Sequence, residues 1–245
     1  MTLLRILLVL FALTYSVSAA PPFDGTIFLD PDIIIATDPT TYFKLVDKGR
    51  GNRSMFDRRI NRFRTYNAHL FEASFRDLPV VEVQVNPEFS RGKARLLAAK
   101  YARVIGKIPK CLRLNVKTVW IHDGVEPFGG GNRNLLIHTG QSTEYEADGI
   151  LEETFVHEAA HTSLDAAHRA SAGWRSAQNS DPEFISTYAR DNPSREDIAE
   201  SFLMWLAVRY RPERIDSTLR NTISSTIPAR LNYFTGRRFD VRPVR

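Results

Sequence analysis

Apolar residues recur along this chain with two periods, and the two sort it into helices and strands. Between residues 90 and 105, Leu96, Leu97, Tyr101 and Ile105 return at helical spacing, and Gly106 stands where that helix would end. Residues 149–164 read as a second helix. A third opens at Asn192-Pro193-Ser194, where Asn or Ser can cap and Pro is tolerated in the first turn. It runs to about Tyr210 and offers Ile198, Phe202, Trp205, Leu206 and Val208 to a core. Pro212 stops it, and short helices over about 213–225 and 228–234 follow. Residues 55–66 read as a further helix, with Arg58, Arg59 and Arg62 forming a solvated basic face.

Other stretches are strand-like. Residues 68–75 and 80–85 predict a hairpin turned by Arg76-Asp77-Leu78-Pro79 and closed by Asn86-Pro87. Residues 116–123 and 135–139 predict two more strands. Between them, Gly124 and the run Gly129-Gly130-Gly131-Asn132 predict a mobile loop at the rim of a cleft. That run lacks the Lys-Ser/Thr continuation and the following helix that a phosphate cradle requires. Lys48-Gly49-Arg50-Gly51-Asn52 reads as a turn, and residues 166–187 as loop with small helical pieces. Residues 21–47, rich in Pro, Asp and Thr, read as extended or loop structure laid on the domain, or as a pro-segment. No repeat or low-complexity linker interrupts the order, so one α+β domain is the simplest architecture.

The first residues bear on where the protein works. Met1 and Arg5 precede an apolar run over 6–13, followed by Ser16-Val17-Ser18-Ala19-Ala20, the layout of a secretory signal cut after Ala19. A membrane anchor needs about 20 apolar residues, and neither this run nor a later one is that long. The expectation is a secreted protein with no membrane partner. The formal charge is +5, but the basic residues are scattered rather than gathered on one face, which argues against nucleic acid as a partner. Cys111 is the only cysteine, which excludes an internal disulfide and predicts a thiol packed in the core.

Chemistry concentrates in residues 150–161. His157-Glu158-Ala159-Ala160-His161 sits within the second predicted helix, so both imidazoles share one face, a turn apart. Glu158 lies beside the point they share, where it can take a proton from a metal-bound water. Glu152 and Glu153 favour the positive end of the helix dipole, and Asp148 is a candidate N-cap. A catalytic zinc takes three protein ligands. His168 is the nearest histidine, but the extended His-Glu-x-x-His-x-x-Gly-x-x-His pattern would need Gly at 164 and His at 167, where this chain has Leu164 and Ala167. The alternative third ligand is a carboxylate from the helix near residue 196.

Here the sequence resembles a family. His-Glu-x-x-His followed downstream by Glu196-Asp197-Ile198-Ala199-Glu200-Ser201-Phe202 is similar to the gluzincin metallopeptidases, especially the catalytic domain of anthrax lethal factor and its relatives. Ser186-Thr187-Tyr188-Ala189-Arg190-Asp191-Asn192 resembles the Ser-Tyr-Gly-Arg-x-Asn run before that glutamate, with one extra residue ahead of the tyrosine. The likeness covers residues 148–202; upstream only the order of strands and helices is compatible. It implies a zincin-like domain over 67–245, with residues 20–66 as a pro-segment or part of the fold. That domain would have a small mixed sheet, a zinc-site helix and a mainly helical C-terminal part. It implies zinc held by His157, His161 and Glu196, with Glu200 orienting a ligand histidine and Tyr188 stabilising the transition state. The expected activity is hydrolysis of a peptide or protein substrate with Glu158 as base, the substrate pairing with an edge strand at residues 135–139. The alternative is a secreted binding protein that holds zinc without turnover.

Overall fold

The computed structural model describes residues 20–26 and 33–245, and the expected signal sequence, residues 1–19, lies outside the described residues. The strands are β1 (Tyr42–Asp57), β2 (Arg62–Phe75), β3 (Leu78–Val85), β4 (Thr118–His122), β5 (Gly129–Gly131) and β6 (Asn134–His138). The helices before the motif are α1 (Arg91–Ile105), α2 (Lys110–Arg113) and α3 (Thr139–Ala147), and the motif helix is α4 (Leu151–Ser163). After it come α5 (Asp165–His168), α6 (Ala172–Ser180), α7 (Thr187–Asp191), α8 (Asp197–Tyr210), α9 (Ser217–Thr226) and α10 (Pro228–Gly236). Strands and helices segregate along the chain, so the fold is α+β, with a mainly helical second half. None of the described helices is long and apolar enough to cross a membrane.

The six strands form one mixed sheet in the order β1-β2-β3-β4-β6-β5. β3, β4 and β6 run parallel, while β1, β2 and β5 pair antiparallel with their neighbours. Strand alternation gives each face its character. Phe71, Ala73, Val81, Val83, Val119, Ile121, Leu135 and Ile137 point into the core shared with α1, α4 and α8. The second face carries a smaller apolar cluster of Met55, Ala68 and Leu70 with Tyr66 and Trp120, beside the polar Gln84, His122 and His138. α1 starts at Ser90, whose hydroxyl accepts the Lys93 N–H, and buries Leu97, Tyr101 and Ile105. Cys111 is buried as its setting suggests, and burial pushes its thiol up to about 12.

The structure corrects several expectations. Residues 55–66 are not a helix but the end of β1, a single 3₁₀ turn and the start of β2. Asp57 accepts the Arg59 N–H, and Asn61 takes a left-handed conformation at φ 48°, which reverses the chain and lets the flanking residues pair across the hairpin. Residue 67, the expected domain boundary, falls inside β2. The expected turn at Lys48-Gly49 is a bulge within β1, with Gly49 at φ 81° and its N–H bonded to Asp47. Asp148 does not cap α4; it ends α3, a helix the pattern did not predict. Glu153 bonds the Ile33 and Ile34 N–H groups at 2.8 and 3.0 Å, and Glu152 pairs with Lys107 at 2.8 Å. Both acids therefore clasp neighbouring chain rather than only face the helix dipole.

The long β1–β2 hairpin bends over the second face of the sheet, so its tip lies against distant strands. Phe63 meets Trp120 edge-on at 5.8 Å, and Arg59 bonds both Asp57 and Glu88. Beneath the tip, His122 and His138 stack at 5.7 Å and are fully buried. Asn86 reaches the His122 Nδ1 at 2.9 Å, while neither ring nitrogen of His138 meets a hydrogen-bond partner among the described residues. Burial pushes both rings down to about 4, with His122 and Arg59 adding to the effect at His138. An unfolded histidine titrates near 6.5. Between those values the unfolded chain binds protons that the folded chain refuses, so stability is full above about 6.5 and falls as pH drops toward 4. Thermal unfolding in EDTA should give a Tm that declines across this window. The decline should be smaller in His138→Leu, which takes up no proton, and an equal decline in both proteins would show that the acid sensitivity arises elsewhere.

Candidate metal centre

α4 buries Phe155, Val156, Ala159 and Ala160 in the core and directs His157 and His161 toward the start of α8. α8 is apolar on all sides through Ile198, Phe202, Leu203, Met204, Trp205 and Leu206, so it lies inside the molecule. Its buried polar residues are bonded. Asp197 accepts from Arg230 and Gln178, Ser201 donates to Asp197, and Glu200 accepts from Ser186. Glu196 is the N-cap of α8 and delivers its carboxylate to the two histidines.

The three side chains meet at one point. His157 Nε2 and His161 Nε2 are 3.1 Å apart, His161 Nε2 lies 3.1 Å from Glu196 Oε2, and His157 Nε2 lies 3.4 Å from the same oxygen. Donors placed about 2.0–2.1 Å from a tetrahedral ion stand about 3.3 Å from one another. The triangle therefore matches the face of a tetrahedral site, and its two nitrogens and one carboxylate oxygen suit a divalent cation. His168, the other candidate third ligand, is engaged elsewhere: its Nδ1 meets the Tyr233 hydroxyl at 2.7 Å and its ring packs on Phe239.

Each imidazole of the triangle is backed by a carboxylate on its far nitrogen, an arrangement that fixes ring orientation in metal sites. Glu200 Oε1 stands 3.6 Å from His157 Nδ1, at ion-pair range, and the Glu200 carboxylate is fully buried. Its other oxygen accepts the Ser186 hydroxyl at 2.8 Å, and Ser186 also caps α7, which carries Tyr188. Behind His161, Asp165 Oδ2 sits 3.0 Å from Nδ1. Asp165 was not singled out in the sequence, although its place four residues after His161 was the available signal.

Burial opposes charge on His161, but bonds to Asp165 and Glu196 outweigh it and raise the imidazole to about 10. Burial likewise works against the Glu196 carboxylate, yet the two histidines hold it well below the usual range. Tyr188 adjoins Glu196, and its phenol is raised by burial and then by that charge. Tyr145, also overlooked in the sequence, is raised by burial and by the neighbouring Glu158.

A cleft of about 1000 Å³ opens over the triangle, lined by Glu158, Tyr188 and Tyr145 together with the glycine run. The structure thus brings together His157, Glu158, His161, Tyr188 and Glu196, with Glu200 behind them. It corrects two further expectations. The glycine run is not a mobile loop but strand β5, packed directly on α4. Residues 135–139 are not an edge strand, because β6 is paired on both sides and β5 forms the edge. A Cβ at Gly130 would stand 1.8 Å from the Glu158 carbonyl oxygen, so only glycine permits this approach. Gly131 N–H in turn donates to the Thr162 hydroxyl of α4 at 2.7 Å.

Comparison of the chain with protein-family models, curated proteins and solved structures gives no match.

Metal analysis by mass spectrometry after zinc supplementation should find about one ion per chain, unchanged in His168→Ala and weakened or lost in Glu196→Ala. Glu200→Gln should keep the ion with affinity reduced about 10–100-fold. Full retention in Glu196→Ala would remove Glu196 from the ligand set. Gly130→Ala should destabilise the protein by about 1–3 kcal/mol in denaturant titration, because strand or helix must shift to admit the methyl group. A wild-type midpoint would mean that β5 does not rest on α4.

Proposed function

We propose that this protein is a secreted zinc-dependent endopeptidase of the zincin type, with its centre at His157, His161 and Glu196. The observation that carries the reading is the placement of Glu158: it lines the same cleft as the donor triangle and lies on the same helix as two of its members. His157, His161 and Glu196 would hold the zinc ion, which would supply Lewis acidity and a water acidified toward neutrality. Glu158 accepts the proton of the attacking water and returns it to the leaving amine, the two halves of general acid–base catalysis. The Tyr188 hydroxyl, kept protonated by its surroundings, donates to the developing oxyanion. Glu200 and Asp165 hold the two imidazoles in register through their Nδ1 atoms. β5 offers a sheet edge beside the cleft, against which an extended substrate backbone can lie.

A zinc-holding protein without turnover would have no use for a carboxylate held beside the centre, so the intact Glu158 favours the enzyme. The decisive variant is Glu158→Gln. It should retain its ion and its Tm while cleavage of a peptide library falls by about 10²–10⁴-fold. A variant that still cleaves at the wild-type rate would remove Glu158 as the base. A wild-type protein that binds zinc and cleaves no peptide would leave the binding-protein alternative.

A further inference from the structure

Among the described residues three carboxylates line the cleft, and all of them belong to the centre: Glu158, Asp165 and Glu196. Asp165 is taken up by His161, and Glu196 by both histidines. Around them, among the described lining residues, stand four arginines, Arg58, Arg133, Arg169 and Arg195, and no lysine. Of these four, only Arg195 forms an ion pair with a described residue, at 3.5 Å from the outer oxygen of Glu196. Arg58, Arg133 and Arg169 form none with the described residues.

The four come from separate parts of the chain, each set by local structure. Arg58 sits at the tip of the bent β1–β2 hairpin, where its guanidinium reaches Gly129 of the edge strand. Arg133 occupies the β5–β6 turn at φ 61°, anchored by its carbonyl, which accepts the Lys117 N–H at 2.8 Å. Arg169 ends α5, its N–H bonded to the Asp165 carbonyl at 3.1 Å. Arg195 precedes Glu196, its N–H bonded to the Asn192 carbonyl at 2.9 Å. A cation in the centre would add further positive charge at the floor. Cations converging on one concave surface focus the field there and draw anions in. Planar guanidiniums match carboxylates by paired hydrogen bonds.

We infer that the substrates of this cleft are acidic peptides, with Asp or Glu side chains flanking the bond to be broken. The hydrolytic part of this statement rests on the peptidase reading, whereas the charge of the ligand rests on the four arginines. Binding can therefore be tested apart from turnover, using the full-length secreted protein as Glu158→Gln, loaded with zinc. Three fluorescent peptides share one backbone and carry Glu, Gln or Lys at the flanking positions. The Glu peptide should bind about tenfold more tightly than the Gln peptide and more tightly still than the Lys peptide, a gap that closes as salt rises. Adding Arg58→Ser and Arg169→Ser should erase most of the preference while metal content and Tm stay unchanged.

Equal binding of the Glu and Gln peptides, or preference for Lys, overturns the inference. So does tighter binding of a single-stranded oligonucleotide of the same charge, which would make the cleft a general polyanion site. Cleavage by the wild type separates the two readings. Acid-selective binding without cleavage of any peptide removes the peptidase and keeps the ligand class, whereas efficient cleavage without acid preference does the reverse.

Discussion

Placing two imidazoles and a carboxylate together in the interior, between α4 and the start of α8, is the constraint on which the rest of the structure depends. Buried charge is costly unless it is matched, and breaking such a match costs about 3–5 kcal/mol. Each member is matched more than once. His161 lies between Asp165 and Glu196, His157 between Glu196 and Glu200, and Glu200 is held by Ser186. The layers around the centre can be read outward from it, since each supplies a partner to the layer within.

The start of α8 is the most heavily supported point. Asp197, next to Glu196, is fully buried and accepts from Arg230 of α10 at 2.9 Å and from Gln178 of α6 at 2.7 Å. Arg230, itself fully buried, also bonds Asp181 and lies over the Phe184 ring at 4.5 Å. α6 and α10 thus fix the backbone that carries Glu196. The N-terminal stretch performs a similar service on the other side. The Phe23 carbonyl accepts the Thr187 N–H beside Tyr188, and Ile33 and Ile34 supply two of the bonds to the buried Glu153 carboxylate in the first turn of α4. Removing that stretch as a pro-segment would withdraw donors from a carboxylate enclosed by the core, which favours its being part of the fold.

The sequence was legible wherever the relation between residues is local. The i, i+4 spacing of His157 and His161, the Ser90 cap and the apolar rows of α1 and α8 are properties of one helix, and a single period exposes them. Glu196 and Glu200 were reached through a family resemblance rather than through spacing, because a ligand from a second helix depends on how two helices cross. Residues 55–66 misled because three arginines at near-helical intervals imitate a solvated face, whereas the left-handed Asn61 and thirteen residues of cross-strand partners decide the hairpin. His122 and His138 looked like ordinary strand residues and became a buried pair only when parallel β4 and β6 set them side by side. Asp165 stands four residues after His161, but the helix that the sequence predicts over residues 149–164 stops one residue short of it.

The glycine run shows how one local choice can serve both packing and the site. Consecutive glycines suggest a source of freedom, yet Gly130 is held against the backbone of the residue that lies between the two histidines. Contact at that distance ties the height of the edge strand above α4 to the position of Glu158. A side chain there would separate the strand from the helix, widening the cleft and moving its wall away from the donor triangle. The same strand is the one that Arg58 reaches from the hairpin tip. The edge strand, Glu158 and the Arg58 guanidinium are therefore brought together by a single backbone approach, and the missing side chain is what makes that approach possible.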